Sequence, residues 1–418
     1  MSANVVVKIV IVSNKGGYKM ANNFQFVGKI SLGKDSEKFH PIERKTFQSG
    51  WMNTTVRFNC ISGTNRIMCM TQGGKWADDK KNTVKTFGKS TTDENGKVTK
   101  GEKIEIAWAK RFDEEEIAKV AGFKKFVIDT GDYKMRYKLQ DLVNAFENNT
   151  VTDEMMEQAG IDNLDDAKAA LEKSQAKRKE FLSEWDFAEY MIKVCNSDKL
   201  KDKLFTITGT YDVQYNAEKD RFYTTYHVNR VTLAAEDAEP TTELKADFFY
   251  GEDAWDDSGF EETGKVLVNG WFNYYDSNLK KNGFQNIAIV IREDNEKKRN
   301  ALKRKFTVDD GIKQIGLTLS VIEGAERVEL TVDMLSEEDR EDLEMGLVEW
   351  YDLKKAYGGS VVGDKVSELR FASLTAKKNV AQDTIYGIED MCPAREDVAE
   401  DEENEDIVTD IFEDDDDL

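Results

Sequence analysis

Residues 24–72 read FQFVGKISLGKDSEKFHPIERKTFQSGWMNTTVRFNCISGTNRIMCMTQ, and this stretch decides the fold. It contains three short runs of β-branched and aromatic residues, at 24–32, 54–61 and 66–71, separated by Gly, Ser, Asn and Asp. Such runs between turn-forming residues are typical of antiparallel strands joined by turns. The stretch therefore predicts the start of a small antiparallel barrel.

The alternation within residues 51–61 predicts what each strand face does. The even positions are mostly apolar, whereas the odd positions include Trp51 and Arg57. Successive side chains of a strand point to opposite faces, so an unbroken strand places Trp51 and Arg57 together, away from the core. An indole offers bases a flat apolar surface, and a guanidinium attracts phosphate. If Gly50 instead introduces a bulge, Trp51 belongs to the core or the rim.

The charge of the chain is distributed unevenly. The 418 residues carry a net charge of −22, yet residues 1–138 hold 26 Lys and Arg against 15 Asp and Glu. Residues 139–395 hold 33 against 52, and residues 396–418 hold 14 acidic residues and no basic one. A basic head on an acidic protein indicates a polyanionic partner. The alternative is a scatter of Lys over a solvated surface.

The basic head offers further candidates for contact with a nucleic acid. Trp76 lies between glycines and charged residues, which favours exposure and makes it a second stacking candidate. Trp108 shares a strand face with Ile104 and Ile106, so we expect it in the core. Together with Arg57, the candidates for phosphate contact are Lys29, Lys45, Arg66, Lys75, Lys80, Lys81, Lys110 and Arg111.

The pattern along the chain predicts an α+β, β-rich fold in four parts. Residues 1–138 form the basic barrel domain, and residues 139–200 form a helical insert or spacer, rich in Ala, Leu, Glu and Lys. Residues 201–375 return to strand patterns and form a second β-rich, barrel-like domain. Residues 376–418 are a linker and an acidic tail.

A short repeat suggests that the second domain duplicates the first. Residues 205–211 have apolar residues at the first, third and seventh places and Gly at the fifth, as residues 24–30 do. A Gly inside the first strand of a small barrel lets that strand bend sharply. We therefore expect 205–211 to open a second barrel. This half has little excess positive charge and is the weaker candidate for nucleic-acid binding.

No catalytic motif stands out. The Gly88-Lys89-Ser90 sequence lacks the upstream glycine of a phosphate-binding loop, because Thr83 stands there. The chain has two histidines, and its four cysteines form no CxxC pair. We predict a non-enzymatic protein with no cofactor and no metal site, working in a reducing cytoplasm. The apolar run 5–12 is too short to span a membrane and is predicted to be a strand, so no membrane is expected as a partner.

The acidic tail, residues 396–418, has too few apolar residues to fold alone. Ile407, Val408, Ile411 and Phe412 nevertheless stand within the acid. Apolar residues surrounded by charge are typical of a linear docking motif. The alternative is a solubilising tail with incidental apolar residues.

These features together resemble the single-stranded DNA-binding proteins of the OB-fold type, in a long form such as large bacteriophages carry. The resemblance covers residues 24–108 by pattern and 396–418 by composition. It implies an OB-like barrel that coats single strands during DNA replication, recombination and repair, with Trp51 and Trp76 as the stacking aromatics. It also implies that the tail recruits replication proteins. Leu418 fits the apolar tail end of that family loosely, but the Pro-Phe ending of the bacterial members is missing.

Two other functions remain open at the level of the sequence. Stacking platforms accept RNA as readily as DNA, and the β domains could instead make protein contacts in a structural or virion-assembly protein. A phage-encoded protein of this kind would act in the cytoplasm of a bacterial host cell. The sequence does not define the oligomeric state, the site size or the partner of the tail.

Overall fold

A computed structural model describes residues 22–92, 96–357, 360–375 and 386–395. This part of the chain is β-rich, with one large sheet and nine α-helices. The predicted strand at 5–12 and the acidic tail at 396–418 lie outside the described residues. The strands are Asn23–Leu32 (β1), Ile42–Thr46 (β2), Trp51–Ser62 (β3), Asn65–Trp76 (β4), Thr83–Phe87 (β5), Thr91–Thr92 (β6), Val98–Thr99 (β7), Lys103–Ala107 (β8), Phe126–Asp129 (β9), Arg178–Phe181 (β10), Leu204–Asn216 (β11), Arg221–Leu233 (β12), Thr241–Tyr250 (β13), Trp255–Asp256 (β14), Val266–Asp276 (β15), Lys281–Ile291 (β16), Lys313–Glu329 (β17) and Ser360–Leu374 (β18). The helices are Glu114–Lys119 (α1), Tyr133–Glu147 (α2), Asp153–Ala159 (α3), Leu164–Gln175 (α4), Glu184–Cys195 (α5), Phe260–Thr263 (α6), Glu296–Phe306 (α7), Glu337–Glu344 (α8) and Trp350–Ala356 (α9).

Five strands pair in a closed circuit, which we call the first ring. Its order is β1–β3–β4–β12–β11, and β11 returns to β1. All neighbours are antiparallel except β4 and β12, which are parallel. Apolar side chains from every strand fill the interior, with Phe26, Phe58 and Phe205 fully buried.

A second ring repeats the order of the first. Here β13, β15, β16, β18 and β17 pair in turn, and β17 returns to β13. Again one pair is parallel, β16 with β18. The buried rings of Phe248 and Phe272 lie inside it, edge to face with centroids 6.1 Å apart.

In each ring a helix follows the third strand and adds to the core. In the first ring α5 does so, and it buries Phe187 and Met191 against the strands. In the second ring α7 does so through Phe306, whose ring lies 5.4 Å from Tyr250 and 6.2 Å from Phe371.

The two rings are joined through β1. Residues 23–27 of this strand pair with β11 on one side and with β13 on the other. The C-terminal described segment, 386–395, adds a second link: the Phe284 amide donates to the Cys392 carbonyl at 2.9 Å, and Arg395 Nη2 donates to the Tyr215 hydroxyl at 3.2 Å. One hydrophobic cluster therefore runs through both rings.

The repeat seen in the sequence has a different structural meaning from the one predicted. Residues 205–211 do not open the second ring, because 205–210 pair antiparallel with 23–28 inside the first ring. Gly28 stands opposite Phe205, and Gly209 stands opposite Phe24. A Cβ at Gly209 would lie 1.9 Å from the His227 carbonyl oxygen, so a side chain has no room there. The common pattern is that of two neighbouring strands of one barrel.

The division of the chain also differs from the predicted boundaries at 138 and 200. Residues 204–233 belong with the N-terminal strands, and the helical segment is inserted between β4 and β11 of the first ring. The predicted helical insert is not helical throughout, since the helices α4 and α5 are separated by the strand β10. Residues 178–181 form a strand because they pair with β9. Helix propensity is a local property and does not take such a tertiary partner into account. The helix α3 has Thr152 as its N-cap and a left-handed Gly160 at its C-terminal end.

Candidate nucleic-acid interface

The hairpin of β3 and β4 presents one continuous outer face. Cross-strand pairs put Trp51 opposite Trp76 at one end and Arg57 opposite Met70 nearer the turn. The alternate residues of β3, among them Val56 and Phe58, are buried in the ring. Gly50 has a φ of 84° and belongs to the turn before β3, so it introduces no bulge at Trp51. Trp51 and Arg57 therefore share the outer face.

A groove of about 840 Å³ runs along this face. Its wall includes the short strand β2, which pairs with β3 and extends the surface. The groove combines aromatic rings, amides and charged groups. Its lining residues are Glu43, Lys45, Phe47, Ser49, Trp51, Asn53, Thr55, Arg57, Gln72, Gly73, Gly74, Trp76, Glu184 and His227.

The two tryptophans form an aromatic corner at one end of the groove. Their rings meet edge to face, with centroids 5.2 Å apart. The Trp51 indole lies over the backbone of Gly74, where an added Cβ would come within 2.2 Å of Cζ2. Both Trp51 and Trp76 remain part-exposed, so their faces are available to a flat ligand.

Gly73 fixes the other side of the same strand. An added Cβ there would lie 2.1 Å from the backbone nitrogen of Trp185, in the first turn of α5. The Gly73-Gly74 pair thus lets a helix approach β4 from one side and an indole from the other. Neither role was predicted from the sequence, although two adjacent glycines inside a strand are the signal of such a close approach.

The cations of the groove share one carboxylate. Glu43 accepts from Lys45 Nζ at 2.8 Å and from Arg57 Nη1 at 3.2 Å. The hydrogen bond from Lys45 and the interactions with Arg57 lower the pKa of Glu43 against the opposing effect of burial. Glu43 therefore stays ionised and holds both cations at the groove wall.

A second pair of cations lies beside Trp76. Lys81 Nζ is 5.8 Å from the centroid of the Trp76 ring, within cation–π range. Asn82 fixes this turn, because its side chain both accepts from the Trp76 amide and donates to the Trp76 carbonyl. Lys80 is exposed in the same turn.

Three titratable groups meet at the floor of the groove. Glu184 and His227 line it, and His227 Nδ1 lies 3.8 Å from Asp212 Oδ2. Burial raises the pKa of Glu184, and the neighbouring Asp212 raises it further while His227 and Lys124 oppose the shift. Burial also raises the pKa of Asp212. When ionised, these carboxylates add negative charge to this part of the groove.

Two of the predicted phosphate contacts lie elsewhere. Lys75 points to the opposite face of β4, where Nζ pairs with Asp79 at 3.0 Å and lies 5.7 Å from the Trp185 ring. Arg111 forms a two-pronged ion pair with Asp186, at 2.7 and 3.2 Å. Its guanidinium also stacks 4.0 Å from Trp108, which is buried as predicted.

The remaining predicted cations are exposed but do not line the groove. Lys29 pairs with Asp202 at 3.3 Å, and Lys110 lies in the turn after β8. Arg66 is exposed near the hairpin end of β4, on the same face as Trp76. The tail residues Ile407, Val408, Ile411, Phe412 and Leu418 lie outside the described residues.

The corresponding region of the second ring has a different character. A pocket of about 510 Å³ there contains Trp271, Asn269 and Asn286 together with carboxylates. The acidic residues that line it are Glu252, Asp253, Asp310 and Glu389. This charge disfavours phosphate.

Comparisons with known proteins give little beyond this geometry. No protein-family model matches the chain, and no curated protein matches it. One similar solved structure is a deletion mutant of the single-stranded DNA-binding protein from Thermus aquaticus, with a TM-score of 0.27 and 7% sequence identity. The match covers 72% of this chain and 86% of that chain. A TM-score this low does not establish a shared fold.

Within the described residues, no helix is both long enough and apolar enough to cross a bilayer.

Proposed function

We propose that this chain is a non-enzymatic protein that binds single-stranded DNA with little sequence preference. The observation that carries the proposal is the groove on β3 and β4, where part-exposed Trp51 and Trp76 stand beside Lys45, Arg57 and Lys81. Aromatic rings that stack on bases, next to cations that contact phosphates, are what single-strand binding requires.

We propose further that the first ring is an OB-fold barrel. The order β1–β3–β4–β12–β11, with a helix between β4 and β11, the third and fourth of these strands along the chain, supports this assignment. In such barrels the second and third strands and the loop between the first two form the oligonucleotide site. In this chain those elements are β3, β4 and the loop that contains β2.

The second ring has the same strand order, and we propose that it is a second OB-like barrel with a supporting role. Its pocket is acidic, and segment 386–395 packs across it, with the Tyr386 ring 5.5 Å from Phe284. We assign the contact with nucleic acid to the first ring alone.

The biological setting follows from the resemblance noted above. We propose that the protein coats transient single strands in DNA replication, recombination and repair, in a bacterial cytoplasm and as a phage-type protein. We also propose that the tail, residues 396–418, recruits replication proteins through Ile407, Val408, Ile411 and Phe412. Deleting 396–418 should abolish capture of those proteins and leave strand binding in place.

The direct test is a titration of the intrinsic tryptophan fluorescence with oligothymidylate at low and high salt. The same strand in a duplex and a matched oligouridylate serve as comparison ligands. We expect quenching by the single strand that weakens with salt, because phosphate contacts release counterions. Quenching by both single strands would extend the substrate class to RNA.

A negative result would be equally informative. If neither fluorescence nor a gel shift responds to any single strand at low salt, the proposal is wrong, and a protein-contact role for the β domains becomes the better account. Preference for the duplex would also exclude a stacking groove.

A further inference from the structure

The segment inserted after β4 carries aromatic rings on its surface. Phe123 is 77% exposed and Phe87 is 37% exposed. Lys124 Nζ lies 5.5 Å from the centroid of the Phe87 ring and 5.7 Å from that of Phe123. We call these three residues the insert platform. Lys124 is therefore within cation–π range of two exposed rings, as Lys81 is of the Trp76 ring.

A small hydrophobic core lies next to the insert platform. There β5 and β8 pair, and the core consists of Val84, Ile106, Trp108, Val120 and Leu182. The Ala121 amide donates to the Phe87 carbonyl at 2.9 Å, and the Lys124 amide donates to the Ala121 carbonyl at 2.9 Å. These hydrogen bonds fix the backbone that carries the two rings, so little backbone entropy would be lost on binding.

The insert platform adjoins the groove. Strand β9 begins two residues after Lys124 and runs parallel to β12, with Val127 opposite Arg230. Next to this pairing on β12, Tyr226 and His227 pair with β4, and His227 lines the groove, so the start of β9 lies beside the groove end of β4. The charge of Lys124 also acts on Glu184, at the same floor.

We propose that the insert platform is a second stacking site for the bases of a single-stranded nucleic acid, reached by a strand that leaves the groove past His227. This inference rests on the proposed function, since it extends the same binding path. Phe123 stacks on a base, Phe87 adds a second exposed ring beside Lys124, and Lys124 contacts a phosphate. Oligonucleotides that are too short to reach the insert platform bind only at Trp51 and Trp76.

The experiment is a series of oligothymidylates of increasing length, with the dissociation constant measured by fluorescence anisotropy. Trp51→Ala should weaken binding at every length. Phe123→Ala should weaken it only above a threshold length, by about fivefold to a hundredfold, which is what one lost base stack is worth. Phe123→Trp should restore the loss, because it restores a flat ring.

The matched control is Tyr351→Ala on α9, another ring that is 72% exposed. It should leave binding unchanged at all lengths. Thermal melting of each variant checks that the fold is intact, which the exposure of both rings favours.

The outcomes separate the two proposals. If the unaltered protein binds no single strand, the proposed function fails and this inference fails with it. If Trp51→Ala weakens binding while Phe123→Ala behaves as Tyr351→Ala does at every length, only the insert platform is wrong. If Phe123→Ala instead lowers the affinity equally for oligothymidylates of every length, Phe123 belongs to the groove, and the proposal of a separate stacking site is wrong.

Discussion

Trp51 stands directly opposite Trp76 across the β3–β4 ladder, and their rings meet edge to face at 5.2 Å. The corner they form rests on the Gly74 backbone and not in the barrel core. Base stacking and barrel stability can therefore be perturbed separately at this point of the molecule.

Replacing Trp51 by Ala should lower the affinity for single-stranded DNA by about 1–3 kcal/mol, the worth of one base stack. The melting temperature should stay close to that of the unaltered protein, because the indole packs on the surface of Gly74. The measurement is a fluorescence anisotropy titration beside a thermal melt.

The control for this change is Trp271→Ala, in the acidic pocket of the second ring. It should leave the affinity for DNA unchanged. A loss of affinity as large as that of Trp51→Ala would show that the second ring also binds the strand.

Replacing Glu43 by Gln should strengthen binding by about 0.2–1 kcal/mol at low salt, which is the usual worth of part-exposed ion pairs. Glu43 holds Lys45 and Arg57 in ion pairs that a phosphate must replace. The measurement is the dissociation constant at several salt concentrations, and the gain should shrink as salt rises. A weaker complex would mean that Glu43 serves chiefly to position Arg57.

Replacing Glu184 by Gln should raise the melting temperature more at pH 7 than at pH 4. Burial raises the pKa of Glu184 in the folded protein, so the folded state favours the protonated form. That contribution to stability is present below the unfolded pKa of about 4.5 and is lost as pH rises through the folded value. Because Glu184 is exposed at the groove although other residues pack around it, we expect a small gain, measured by melts across this pH range.

The control variant, on the same helix, should change the pH dependence of the melting temperature in the opposite direction. The hydrogen bond from Arg44 lowers the pKa of Glu189, so the stability that Glu189 contributes is present above its unfolded pKa and lost as pH falls through the folded value. Glu189→Gln should therefore lower the melting temperature at pH 7 and change it little in acid. Equal effects of the two variants would contradict the assignment.

Replacing Gly73 by Ala should destabilise the fold by about 1–3 kcal/mol, the usual cost of overpacking a tight contact. The new Cβ would lie 2.1 Å from the Trp185 nitrogen, a backbone atom that cannot move alone. Chemical denaturation measures the change.

The neighbouring Gly74→Ala is its matched comparison. There the Cβ would meet the Trp51 ring, which can swing away. We expect weaker DNA binding with a smaller loss of stability than for Gly73→Ala. The reverse order would mean that the Trp51 ring is part of the structural core.

The outer face of β3 could be predicted from the sequence because alternation is a local property. Trp51 and Arg57 differ by six positions, so one unbroken strand carries both to the same side. The core position of Trp108 follows from the same rule.

What the sequence did not predict depends on distant partners. From the sequence alone, Lys75 and Arg111 were predicted to contact phosphate. In the structure Lys75 pairs with Asp79 and lies near the Trp185 ring, and Arg111 pairs with Asp186. Glu184 and His227 reach the groove only because α5 and β12 pack beside β4. Pairing of β11 with β1 likewise joins residues about 180 positions apart, which no local pattern encodes.

Because residues 23–27 of β1 hydrogen-bond to β11 and to β13, this strand links the first ring to the second. Separating the rings would leave a strand edge unpaired on each side, residues 23–27 of β1 in the first ring and residues 241–245 of β13 in the second. Expressed alone, each ring would therefore present backbone groups that can pair with another chain and lead to aggregation.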